Sequence, residues 1–94
     1  MKFQHREIVD WGIIRYQWIA EIGDYEALLE KHEEDRFTVH VHHKNKDISY
    51  YSYWSYNGSR TFDSLEAAAA FAEQVVNRLE KGDYSGCDGA DAPK

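Results

Sequence analysis

Two histidines two residues apart, His40 and His42, stand in FTVHVHHKNKDISYYSYWSY, residues 37–56. On an extended strand that spacing projects both rings from one face, close enough to share a zinc ion, which accepts imidazole nitrogen. A further ligand is harder to find. His43 points to the opposite face, so His5, His32, Asp47 or a glutamate would have to arrive from elsewhere. The plainer account is that histidine and tyrosine tile an exposed sheet face. His40 and His42 are thus weak candidates for a metal-binding module, and no metal or other cofactor is expected.

Tyr51 and Tyr53, beside His40, could stack bases as sheet aromatics do in single-strand binders. Charge opposes this: 17 acidic against 11 basic residues give a net charge of −6, which repels a phosphate backbone unless the basic groups are gathered. They are scattered from Lys2 to Lys94. The expectation is a protein partner with a basic surface and no direct nucleic acid. No Ser-His-Asp spacing, paired carboxylates or phosphate-cradling glycine loop is present, so the chain does not read as an enzyme. Serines 49, 52 and 55 alternate with aromatics and read as strand spacers.

The elements that must position these groups follow from periodicity. In an antiparallel ladder, residues facing each other share a face. With the loop KNKD setting the register, His43, Val41, Val39 and Phe37 meet Ile48, Tyr50, Ser52 and Trp54 on an apolar face. His42, His40 and Thr38 then meet Ser49, Tyr51 and Tyr53 on an amphipathic one. A turn at Gly23-Asp24 pairs Ile22 with Tyr25, Ala20 with Ala27 and Trp18 with Leu29, with Tyr16 and Ile14 continuing the inner face. A three-residue loop at His32 to Glu34 next sets Leu29, Ala27 and Tyr25 against Phe37, Val39 and Val41. DYEALLEKHEED is also rich in helix formers, and a short helix capped by Asp24 is the rival reading of residues 24–34.

Asn57-Gly58 signals another hairpin with SRTF as its return strand, and a bulged turn there puts Phe62 inside. DSLEAAAAFAEQVVNRLEKG then reads as a helix over 64–81, capped by Asp63 with Glu66 completing a capping box and stopped by Gly82. Leu65, Ala68, Ala69, Ala72, Val75, Val76 and Leu79 form its apolar stripe. Residues 2–11 suggest an edge strand. The whole is an α+β domain over 1–82: an antiparallel meander of four to five strands with one C-terminal helix on one face.

Residues 83–94 turn to Gly, Asp, Ser and Ala and read as a flexible tail. It carries the one cysteine, Cys87, read as exposed, so no internal disulfide can form and a reducing, cytoplasmic setting is expected. No apolar run reaches the ~18 residues of a membrane span.

The segment YNGSRTFDSLEAAAAFAEQVV resembles the strand, turn and helix closure of small phage and mobile-element proteins, anti-CRISPR inhibitors among them. The likeness covers about a third of the chain and is architectural. It implies a non-enzymatic inhibitor that blocks a basic, nucleic-acid-binding or assembly surface of a host complex. A homodimeric accessory protein or a toxin-immunity protein would share the same plan.

The register assembles one candidate binding surface on the outer face. Ile19, Leu28, His40, Tyr51 and Tyr53 form a patch with the composition of an interface core. Glu21, Glu26 and Glu30 stand around it as an acidic rim. Self-association through this patch, or its cover by residues 2–11, is the competing expectation.

Overall fold

The computed structural model describes residues 3–32, 35–53 and 60–92. Its elements run β1 (Gln4–Asp10), β2 (Ile13–Ile22), β3 (Tyr25–His32), β4 (Arg36–His43), β5 (Ser49–Tyr51) and α1 (Leu65–Glu80). The strands form one antiparallel meander in the order β1-β2-β3-β4-β5. Residues 24–34 therefore supply a strand, although DYEALLEK favours helix by propensity. Tyr25, Ala27 and Leu29 alternate with half-buried Glu26, Leu28 and Glu30, and burial of one face outweighs local preference.

The β2–β3 register is the expected one: Ile22 faces Tyr25, Ala20 faces Ala27 and Trp18 faces Leu29. Gly23, at φ +60, supplies the left-handed first turn position. Between β4 and β5, Val41 faces Tyr50, His40 faces Tyr51 and His42 faces Ser49, again as expected. The β3–β4 register departs by two residues. Leu29 faces Val39, Ala27 faces Val41 and Tyr25 faces His43, because the chain reverses between His32 and Arg36 with Asp35 in the left-handed region at φ +55. A slip of two preserves every face, so the sorting of side chains survives it.

Phe62 lies inside, as expected, but it bridges Phe37 through two backbone hydrogen bonds of 2.8 and 2.9 Å. The expected pairing of Phe37 with Trp54 and the turn at Asn57-Gly58 lie outside the described residues. Ser52, read from sequence as a spacer, is fully buried, and its hydroxyl accepts the Val39 N–H at 3.0 Å.

Helix α1 packs chiefly on β3 and β4. Its stripe of Ala68, Phe71, Ala72, Val75, Val76 and Leu79 closes a core with Leu29, Phe37, Val39, Val41 and Tyr50. Phe71 stands between Phe62 (4.8 Å between ring centroids) and Tyr50 (5.9 Å). The cap is Ser64, not Asp63: the Ser64 hydroxyl accepts the Ala67 N–H at 3.1 Å. At the other end Gly82, at φ +88, lets the Asp83 N–H reach back to the Arg78 carbonyl, a Schellman closure. Ser64→Ala is expected to cost about 1 kcal/mol and Asp63→Ala only a few tenths, read from chemical denaturation.

The segment expected as a flexible tail follows the outer edge of β5 as far as residue 92. Ser49 and Asp88 exchange backbone hydrogen bonds of 2.8 and 2.7 Å. The Asp47 N–H donates to the Asp91 carboxylate and the Ala90 N–H to that of Asp47. Tyr84 and Cys87 pack against the core, so Cys87 is half-buried rather than exposed, and burial pushes its thiol up. Among the described residues no helix is long and apolar enough to cross a membrane.

Candidate functional site on the open sheet face

The helix covers one face of the sheet and leaves the other open. On that open face the cross-strand partners Ile19 and Leu28, Leu28 and His40, and His40 and Tyr51 make one continuous row over β2, β3, β4 and β5. All four residues are half-buried. Their strand neighbours Ala27, Val39, Val41 and Tyr50 point into the core. The proposed patch is thereby assembled by the alternation of strands that one helix can cover on only one side. Tyr53 lies beyond the end of β5 and is 54% exposed.

The rim is acidic in sequence but largely compensated in space. Glu30 accepts Arg15 at 2.9 Å and the Gln17 side-chain amide at 3.1 Å. Arg6 in turn donates to Gln17 at 3.0 Å, which ties β1, β2 and β3 together. Glu21 lies 2.9 Å from the Lys44 ammonium and Glu26 3.2 Å from His42 Nε2. A concavity of about 480 Å³ opens beside Ile19, Glu21 and Glu26, walled by Gln4 and Arg6. Along the chain the surplus of negative charge is largest in residues 60–92, where Asp63, Glu66, Glu73, Glu80, Asp83, Asp88 and Asp91 outnumber Arg60, Arg78 and Lys81.

His40 and His42 do share a face, with ring centroids 5.6 Å apart. His42 turns to Glu26, and His40 leans on Tyr51 at 5.7 Å. Among the described residues no three His, Cys, Asp or Glu side chains converge as metal ligands. Burial in the row, and then the nearby His42, hold the His40 imidazole below its ordinary value, with Glu26 opposing.

That depression has a sign for stability. The unfolded chain takes up the His40 proton at about pH 6.5, whereas the folded chain resists it to lower pH. Stability from this group is therefore complete above the unfolded value and falls as pH drops through it. His40→Gln is expected to flatten the loss of stability on acidification, measured by urea unfolding over a pH series.

Sequence reasoning missed a second exposed feature. The β1–β2 hairpin reaches beyond the helix, and its apex sets Trp11 at 95% exposure, with Val9, Ile13 and Ile14 also open. Nearer the core His5 stacks on Trp18 at 4.8 Å. The signal was Asp10-Trp11-Gly12-Ile13, a residue-glycine pair between apolar runs, which marks a two-residue turn.

Comparison with protein-family models, with curated proteins and with solved structures finds no match to this chain.

Proposed function

We propose that the protein is a small, non-enzymatic, cytoplasmic binding module that grips a protein partner with the open sheet face. The observation that carries this reading is the row Ile19, Leu28, His40 and Tyr51. It sets apolar and aromatic side chains edge to edge across four strands on the face the helix leaves bare. Interface cores are made of such residues, with polar groups around them. The paired glutamates Glu21, Glu26 and Glu30 serve as that rim, already oriented by Lys44, His42 and Arg15.

The net charge of −6 favours a partner with a basic surface and disfavours nucleic acid. Combined with the likeness in plan to phage-borne inhibitors, this points to a protein that occludes a basic, nucleic-acid-binding or assembly surface of a host complex. The helix and C-terminal segment supply long-range attraction through their surplus carboxylates, and the sheet supplies the contact. Attraction of that kind speeds encounter and weakens with salt.

Affinity capture from the native host tests the reading. The Tyr51→Ala, Tyr53→Ala double variant, shown to fold by its unfolding midpoint, is expected to lose captured partner at least tenfold. Truncation of aromatic anchors at an interface centre has effects of that size or larger. Unchanged capture with an intact fold removes the open face from the binding reaction.

A further inference from the structure

The two edges of the sheet are treated differently. Residues 83–92 run along β5 and bridge Ser49 through Asp88. β1 has β2 on one side and, among the described residues, no strand on the other. It holds an unbroken register over Gln4–Asp10, so no bulge bends it away, and it contains neither proline nor lysine, its charges being the mixed set Arg6, Glu7 and Asp10. Natural sheets use those devices to keep an edge from pairing.

We propose that a second copy of this chain pairs with β1, strand to strand and antiparallel, in the register centred on Ile8. The backbone permits it. Trp11 and Gly12 both have positive φ, +53 and +76, which makes a two-residue turn closed by hydrogen bonds between Asp10 and Ile13. Alternation along the ladder then turns the N–H and C=O groups of Ile8 and Arg6 toward β2 and those of His5, Glu7 and Val9 toward the free edge. In the register centred on Ile8, Glu7 of each copy exchanges hydrogen bonds with Val9 of the other.

Charge disfavours two of the alternative registers, and within Gln4–Asp10 only the register centred on Ile8 adds opposite-charge pairs. A twofold axis through Arg6 sets two guanidinium groups side by side, and one through Glu7 sets two carboxylates side by side. The axis through Ile8 sets two isoleucines together and flanks them with Arg6 opposite Asp10 of the second copy, twice. These are non-hydrogen-bonded pairs, whose side chains stand closest in an antiparallel ladder. Near the paired edge Arg6 and Arg15 balance Glu7 and Asp10, so little net charge is brought together there. The same register brings the exposed Trp11 of one copy beside His5 of the other, next to the ring of Trp18.

The axis stands perpendicular to the sheet. Both helices therefore lie on one side of a joined ten-stranded sheet and both open-face rows on the other, leaving the proposed binding surface free and doubled.

Sedimentation velocity over a concentration series, on the intact chain and three variants, tests the pairing. The unaltered chain is expected to dimerise. Arg6→Asp and Asp10→Arg, each of which creates two like-charge pairs, are expected to weaken dimerisation about tenfold. The double exchange Arg6→Asp with Asp10→Arg restores opposite charges across the axis and is expected to recover it. Hydrogen exchange on the unaltered chain gives a reading that no substitution can confound: amides of Glu7 and Val9 slow as concentration rises, while those of Arg6 and Ile8 do not change. A monomer at millimolar concentration overturns the proposal. So does a dimer indifferent to the single exchanges, one not recovered by the double exchange, or slowing at Arg6 and Ile8 instead.

Discussion

Leu29→Ala is expected to destabilise the protein by about 2–5 kcal/mol, whereas Leu28→Ala, one residue away, costs no more than about 1 kcal/mol. Leu29 has no exposed surface and lies in the core between the sheet and α1. Its truncation removes apolar transfer energy and leaves a cavity that a packed helix cannot collapse. Leu28 is half-buried on the open face, so solvent and neighbouring side chains fill the space its truncation leaves. A domain of this length has roughly 5–14 kcal/mol of stability in total. The inner substitution therefore removes a large part of it and the outer one little. Urea unfolding with unchanged m-values measures both, and equal effects for the two leucines would mean that the faces are not sorted as described.

The second large effect is expected from Gly89→Ala. Gly89 sits at φ +119, and a methyl group there would be driven into the backbone carbonyl of Asp47, which accepts the Asp91 N–H while the Asp47 carboxylate accepts that of Ala90. No flexible side-chain end is available to move aside. The bridge between Ser49 and Asp88 is expected to open, with at least a tenfold loss of hydrogen-exchange protection at those two amides, about 1.4 kcal/mol. The amides of α1 should keep theirs, because the core does not depend on that bridge. If Ser49 and Asp88 exchange at unaltered rates, the C-terminal segment does not close the β5 edge.

The faces were legible in the sequence because alternation is insensitive to errors of two. The loop between β3 and β4 was placed one residue early, which shifted the register by two, yet Leu29, Ala27 and Tyr25 still faced inward. For the same reason the row from Ile19 to Tyr51 follows from strand alternation alone. The β4–β5 register was fixed by the short loop, whose His43–Ile48 hydrogen bond closes at 2.9 Å.

What the sequence hid depended on contacts between distant segments. Ser64 and Asp63 are equivalent as capping residues until φ and ψ decide which one ends the extended chain. Residues 83–92 have no periodicity, and their docking rests on Asp47, Ser49 and Gly89 meeting across a long separation. The rim of Glu21, Glu26 and Glu30 looked uniformly acidic because Lys44 and Arg15 reach Glu21 and Glu30 only through the fold. Trp11 sits at the apex of the β1–β2 hairpin, a place that only the positive φ of Trp11 and Gly12 reveals.

The open face stands or falls as a binding surface on one comparison. A photo-crosslinking amino acid is placed at Tyr51, and in a second chain at Glu73 on the exposed side of α1, and each is irradiated in the native host. The account predicts a discrete adduct of one partner from position 51 that is absent from position 73. An adduct from position 73 with none from position 51 would contradict it, since the partner would then be held by the helix and not by the sheet.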